Sequence, residues 1–257
     1  MHDSLDTDRL EREVKSIYGD VATAADAEFH FETGRELADR LGYDADDLEY
    51  VPAAAIDSFA GVGYAFDLAE LEPGEDVLDL GSGSGMDAFV AAIHVTETGT
   101  VTGVDMTPGQ VENARRLAAD GGFHNVSFHQ GYIEALPFDD ASFDAVLSNG
   151  VINLSAKKDR VFEEASRVLR PGGRLALSDI VSEAQLPEHI KTDADLWAAC
   201  IGGAEAVDSY TSIVEDAGLE LETVRENAEY EFISERAANA CQRYGVKSIS
   251  LQAQKPV

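Results

Sequence analysis

Cysteine is almost missing from this chain: Cys200 and Cys241 are the whole complement. Two cysteines build neither a disulfide framework nor a metal cluster of recognisable spacing, so no metal site is expected and the compartment implied is reducing cytoplasm. Long apolar runs are missing as well. Nothing approaches the roughly 18 consecutive apolar residues of a membrane span, and the opening Met1-His2-Asp3-Ser4-Leu5-Asp6 is too acidic and polar for a secretory signal. Basic residues are also few, 19 Lys and Arg against 49 Asp and Glu, for a formal net charge of −30. Such a surface repels polynucleotides and anionic membranes, which leaves a small molecule as the expected partner. Oligomeric state is not readable from these features.

What the chain does have is acid throughout. Asp44, Asp46, Asp47 and Glu49, then Asp139 and Asp140, then Glu226, Glu229 and Glu231 spread the charge over every segment, while lysine is scarcer than arginine. The pattern resembles proteins of salt-accumulating halophilic archaea, in which dissolved salt screens the repulsion. The plainer reading is an acidic cytoplasmic protein. At 257 residues and 44% hydrophobic content, the chain can fill the core of one elaborated α/β domain.

The most informative stretch is Asp79-Leu80-Gly81-Ser82-Gly83-Ser84-Gly85, entered from Glu75-Asp76-Val77-Leu78 and followed by the helix-like Met86 to Ile93. A strand, a glycine turn and a helix in this order suit a backbone that must bend sharply and lie against a ligand. The dinucleotide fingerprint G-x-G-x-x-G requires glycine at position 86, where Met stands. The acid-x-Gly-x-Gly-x-Gly run instead resembles the first motif of class I S-adenosylmethionine methyltransferases. Thr100 to Val104 is a second strand-like run ending on Asp105, 20 residues past Gly85. A carboxylate there suits a ribose diol; the alternative is a cap on the helix beginning near Pro108. Asp79 suits cofactor hydrogen bonding or bracing of the loop. Asp87 reads as a first-turn acid favoured by the helix dipole.

Apolar spacing predicts helices over 8–18 and 32–41, and residues 1–67 read as an N-terminal helical extension or cap. The methyltransferase-like domain would then occupy 68–257. Strands are expected at 76–80, 100–105, 126–129, 143–148 and 174–180, with helices at 86–94, 108–120 and 157–169 between them. A partly helical insertion near 185–206, a helix at 208–217 and a closing strand pair, 219–226 and 246–254, complete the chain. The fold class is α/β, a doubly wound, mostly parallel, seven-stranded Rossmann-like sheet. Ligands collect at the carboxyl ends of such strands, which places Gly81, Ser82, Gly83, Gly85, Asp105, Met106, Ile133, Glu134 and Asn149 together with Asp79 as cofactor candidates. Ile133 suits an adenine face or the core, Glu134 the adenine edge or solvent, and Asn149 the methionine portion or a turn.

Beyond these motifs, Val77 to Phe89, Val104-Asp105-Met106-Thr107-Pro108, Ser148-Asn149-Gly150-Val151-Ile152-Asn153-Leu154-Ser155 and Cys200-Ile201-Gly202-Gly203-Ala204 together resemble the arsenite methyltransferase family. The likeness runs from about Tyr18-Gly19 to the closing strands. It implies transfer of the S-adenosylmethionine methyl group to trivalent arsenic held by cysteine thiolates, with Tyr18, Asn149, Asn153, Trp197 and Cys200 facing the acceptor. Tyr18 and Trp197 also suit packing, and Cys200 a buried apolar position. Two of three expected cysteines are replaced, by Val62 in Gly61-Val62-Gly63-Tyr64 and by Gly150 after the Ser-Asn pair. Valine and glycine offer no soft ligand. A small organic or thiol acceptor is therefore the second enzymatic reading, a cofactor-binding protein without turnover the third, and an oxidoreductase the weakest.

Overall fold

The computed structural model describes residues 31–191, 196–197, 200–233 and 235–257, with Arg12 and Lys15. The helix expected over 8–18 and the candidate Tyr18 lie outside the described residues. Seven strands form one sheet: β1 Asp76–Leu80, β2 Thr100–Asp105, β3 Val126–Gln130, β4 Phe143–Asn149, β5 Leu169–Val181, β6 Glu220–Glu226 and β7 Lys247–Gln254, in the spatial order β3-β2-β1-β4-β5-β7-β6. Only β7 runs antiparallel to its neighbours. The central strands are buried on both faces, which is why β1 and β4 read as nearly continuous apolar runs while the edge strand β6 alternates.

Ten helices are described: α1 Arg35–Leu41, α2 Ala45–Tyr50, α3 Ala53–Asp57, α4 Phe66–Ala69, α5 Met86–Val95, α6 Pro108–Gly121, α7 Lys158–Val168, α8 Glu188–Lys191, α9 Val207–Asp216 and α10 Glu235–Tyr244. One face of the sheet packs against α5, α6 and residues of 37–69, including Leu37, Leu48 and Phe66. The other packs against α7 and α9 through Val161, Phe162, Tyr210 and Val214. A smaller cluster gathers Val62, Ile180, Leu196, Cys200 and Val246 near the carboxyl end of β5. The order reverses between β1 and β4, where crossovers leave on opposite faces and open a crevice.

The differences from the expected elements are local. Strand β5 begins at Leu169 rather than 174, because Leu169 pairs with Phe143 before an irregularity and Pro171-Gly172-Gly173 is carried within the strand. Helix α1 starts at Arg35 rather than 32, after Gly34 at φ 91°. Helices α2, α3, α4 and α10 were not foreseen. The first three have four to six residues, too short for a 3.6-residue period to register. In α10 the scarcity of large apolar residues conceals an amphipathic helix that packs on the body through Ala240, Cys241 and Tyr244.

Candidate active site

A cavity of about 490 Å³ opens at the carboxyl ends of β1, β2 and β4. Its floor is the glycine turn after β1, fastened to β2 where the Gly81 and Ser82 amides donate to the Val104 carbonyl at 2.7 and 3.0 Å. Gly81 lies at φ 69°, and a Cβ there would stand 2.4 Å from Val151, so both backbone and space demand glycine. Ser84 Oγ donates to Gln110 Oε1 at 2.5 Å and accepts from Asn113 Nδ2 at 3.0 Å, tying the turn to α6. Gly85 caps α5 and packs against Phe128 outside the cavity wall.

Three carboxylates line the floor. Asp105 accepts the Gly83 amide at 3.0 Å and the Thr107 amide at 2.8 Å, one on each oxygen, and the Thr107 hydroxyl as well, so it braces the turn while it also lines the cavity. Burial raises its pKa, opposed by those amides. Asp79 is 2% exposed. The Ala88 amide donates to its carboxylate, and Oδ2 has no hydrogen-bond partner. Its pKa is raised well above the carboxylate range by burial, then by the charges of Asp87 and Asp105. Asp87 is pushed up to about 6 by burial, against the hydrogen bonds it accepts from Tyr43 and Asn149.

The wall opposite is held by Asn149 at the end of β4. Its Oδ1 accepts the Val62 amide at 2.7 Å, and its Nδ2 lies within donating distance of Gly63 O at 2.9 Å, Tyr43 Oη at 3.0 Å and Asp87 Oδ2 at 3.2 Å. Tyr43 Oη in turn donates to Asp87 Oδ1 at 2.5 Å. Every polar atom of the Asn149 amide is thus committed to protein, although the residue lines the cavity. The 59–64 segment can pass this close only because residue 61 is glycine: a Cβ there would sit 2.6 Å from Asn149 Nδ2.

Of the remaining candidates, Ser82, Gly83, Met106, Ile133 and Glu134 all line the cavity, and Ser82 Oγ is buried without a partner. Glu134 accepts the Ser155 hydroxyl. Trp197 lines the other end, donating its indole N–H to Leu154 O at 3.2 Å with the Lys158 ammonium 5.7 Å from its ring. Asn153 and Cys200 lie behind that wall rather than in it. Asn153 is fully buried: its amide N–H donates to Asp179 Oδ2 at 2.9 Å, while its side-chain amide has no partner. Cys200 is 6% exposed with φ 61°, its thiol 3.6 Å from Gly150 O. A Cβ on Gly150 would meet Val62 at 3.1 Å, so positions 62, 150 and 200 converge at one place.

Sequence reasoning missed Tyr43 and the siting of Asp87, which share the cavity floor's hydrogen bonds. It also missed Lys157 and Arg160 at the rim, although both follow directly from the start of α7. No signal singles out Tyr43, whose partners are 44 and 106 residues away.

Known proteins similar to this chain include methyltransferases. The methyltransferase-domain family matches residues 71–218. An arsenite methyltransferase of Halobacterium salinarum is 42% identical over 226 residues, 88% of this chain and 58% of the relative. A human arsenite methyltransferase is 48% identical over 137 residues, 50% of this chain and 36% of the relative. The chain thus spans roughly a third to three fifths of these relatives' length. The crystal structure of an arsenic(III) S-adenosylmethionine methyltransferase from Chlamydomonas reinhardtii superimposes with a TM-score of 0.64 at 32% identity, covering 88% of this chain and 75% of that one. The chain belongs to the methyltransferase-domain family, among the class I S-adenosylmethionine-dependent enzymes related to arsenite methyltransferases.

Proposed function

We propose that this protein methylates a small acceptor bound beneath Trp197, and that its capacity for arsenic is reduced because Val62 and Gly150 stand where thiolates are expected. The reading is supported above all by the convergence of positions 62, 150 and 200, where Cys200 supplies the thiol that meets Gly150 and Cys241, from α10, packs against the same cluster outside the family pattern. When bound, S-adenosylmethionine supplies an electrophilic methyl group on a positively charged sulfonium. The cavity volume lies within the range of small-molecule sites. The orphaned Oδ2 of Asp79 and the Asp105 carboxylate on the cavity floor suit a ligand that brings cationic and hydroxyl donors.

In this reading Asp105 accepts from the ribose, Ile133 packs the adenine, Glu134 takes up its polar edge, and Asp79 faces the amino-acid end. Asn149 acts as a positioning residue that holds the 59–64 wall. Catalysis rests on alignment and on exclusion of water, and no dedicated base is assigned. The division into an extension, 1–67, and a methyltransferase domain, 68–257, is favoured within the described residues by Ala55, Phe59 and Gly61 on the cavity wall.

The test is methyl transfer from labelled S-adenosylmethionine. Without added thiol, arsenite should be methylated slowly or not at all, and a dithiol, by supplying sulfur ligands, should accelerate it. Rapid arsenite turnover without thiol would overturn the reading of a reduced site. Turnover of small thiol acceptors would favour the second reading. Complete absence of turnover with cofactor bound would favour a binding protein.

The charge of −30 and a haloarchaeal relative favour a salt-adapted, cytoplasmic protein. Among the described residues no helix is long and apolar enough to cross a membrane. Its melting temperature should rise from low to molar KCl as repulsion is screened; a flat or falling series would remove the salt-adapted reading.

A further inference from the structure

Asp79 and Asp87 come from one strand–turn–helix unit, β1 to α5, and both line the cavity. The groups that face them are Asp105 from β2, Tyr43 from the segment between α1 and α2, and Asn149 from β4, with Tyr64 further along the same wall. Among the described residues none of these is a cation. Two hydrogen bonds, from Tyr43 and Asn149, favour charge on Asp87. Asp79 has one amide donor and an oxygen with no partner. Two like charges placed out of water without a counter-ion disfavour double ionisation, so one proton is retained between them.

We propose that the Asp79–Asp87 pair holds one proton in the free protein and that binding of the cationic cofactor expels it, so that cofactor binding is linked to pH. The proposal rests on the S-adenosylmethionine assignment above. S-adenosylmethionine carries a sulfonium and an ammonium against one carboxylate, whereas S-adenosylhomocysteine has lost the sulfonium charge. The cofactor therefore brings one more positive charge toward the carboxylates than the product does. Raising the pH should favour cofactor over product.

The sign follows from mass action. Where the free pair is protonated and the complex is not, affinity climbs with pH by about tenfold per unit, and it levels off once the free pair is itself ionised. The positions of Tyr43 and Asn149 add a directional expectation: removing the Tyr43 donor makes the proton harder to lose, and neutralising Asp87 makes Asp79 easier to ionise.

The experiment is calorimetric titration of the full chain with S-adenosylmethionine and with S-adenosylhomocysteine, from pH 5.5 to 8, in buffers of different ionisation enthalpy, which counts protons exchanged on binding. For the wild-type protein, release should approach one proton per S-adenosylmethionine at the acidic end, fall toward zero at the basic end, and be smaller for S-adenosylhomocysteine. Asp87→Asn should abolish most of the release near neutrality. Tyr43→Phe should move the half-point of release to higher pH, a shift that a merely structural role would not produce. Binding of S-adenosylmethionine without proton exchange across the range, or undiminished release in Asp87→Asn, would overturn the proposal while leaving the cofactor assignment intact. No binding of either ligand by the folded wild-type protein would overturn both.

Discussion

The two ends of the cavity are built by opposite strategies. At the end proposed for the cofactor, β1, the glycine turn, α5 and Asp105 come from one continuous stretch, and their contacts are backbone amides meeting carbonyls and carboxylates. At the end proposed for the acceptor, the 59–64 segment, Asn149-Gly150, Trp197 and Cys200 come from three distant parts of the chain and meet through side chains. A site written in contiguous backbone tolerates change around it, because the turn geometry survives. A site assembled from distant segments can change one residue at a time without loss of fold, and Val62 and Gly150, where the proposed reading expects cysteine, stand at that end.

Asn149 joins the two ends, so its removal should have the largest effect. Asn149→Ala would strip partners from the Val62 amide and the Gly63 carbonyl and leave Asp87 with Tyr43 alone. Each buried polar group left unsatisfied costs about 1–3 kcal/mol. The expected loss is about 2–4 kcal/mol, visible as a melting temperature lower by roughly 2–4 °C per kcal/mol in a chain of this size. Asp105→Ala makes the contrast, since it should weaken S-adenosylmethionine binding by roughly 10- to 100-fold, worth about 1.5–3 kcal/mol of charge-assisted hydrogen bonding, with a smaller change in melting. Thermal melts and calorimetry on both variants decide the comparison: if Asn149→Ala melts like wild type, the amide does not hold the ends together.

How legible each end was follows from the same difference. Asp79 to Gly85 and Asp105 carry their proposed roles in local spacing, because a strand, a tight turn and a helix dictate where those residues fall. The mostly parallel sheet was readable for the same reason, since alternating strands and helices imply right-handed crossovers. Asp87 is the first-turn acid of α5 that its position implies, and its further place in the floor was not readable because Tyr43 and Asn149 lie 44 and 62 residues away. Asn153 was read as facing the acceptor, yet it is buried behind Trp197, where its backbone amide serves Asp179. A 3₁₀ turn at Ile152–Leu154, too short to show a period, decides which way that segment points.

The smallest expected effect is at Cys200, and it tests whether the two ends are separable. The thiol is buried among Val62, Ile180, Leu196 and Ile201 and makes a long contact, 3.6 Å, to Gly150 O. Its left-handed backbone, φ 61°, is set by the turn in which the Cys200 amide donates to Trp197 O and the Ile201 amide to Leu196 O. Alanine bears the same Cβ cost at that φ, so Cys200→Ala removes one buried sulfur and little else, about 1 kcal/mol of stability. Affinity for S-adenosylmethionine should stay within about twofold, because none of the contacts that pin the glycine turn or Asp105 passes through Cys200. Arsenite binding, by contrast, should fall sharply, since Cys200 holds the thiol that meets Gly150 where positions 62 and 150 converge, while burial pushes the neighbouring Cys241 thiol up to about 11. Calorimetry with each ligand separates the outcomes. A tenfold loss of cofactor affinity in Cys200→Ala would mean that the acceptor wall shapes the cofactor floor, and the division between a contiguous and an assembled end would fail.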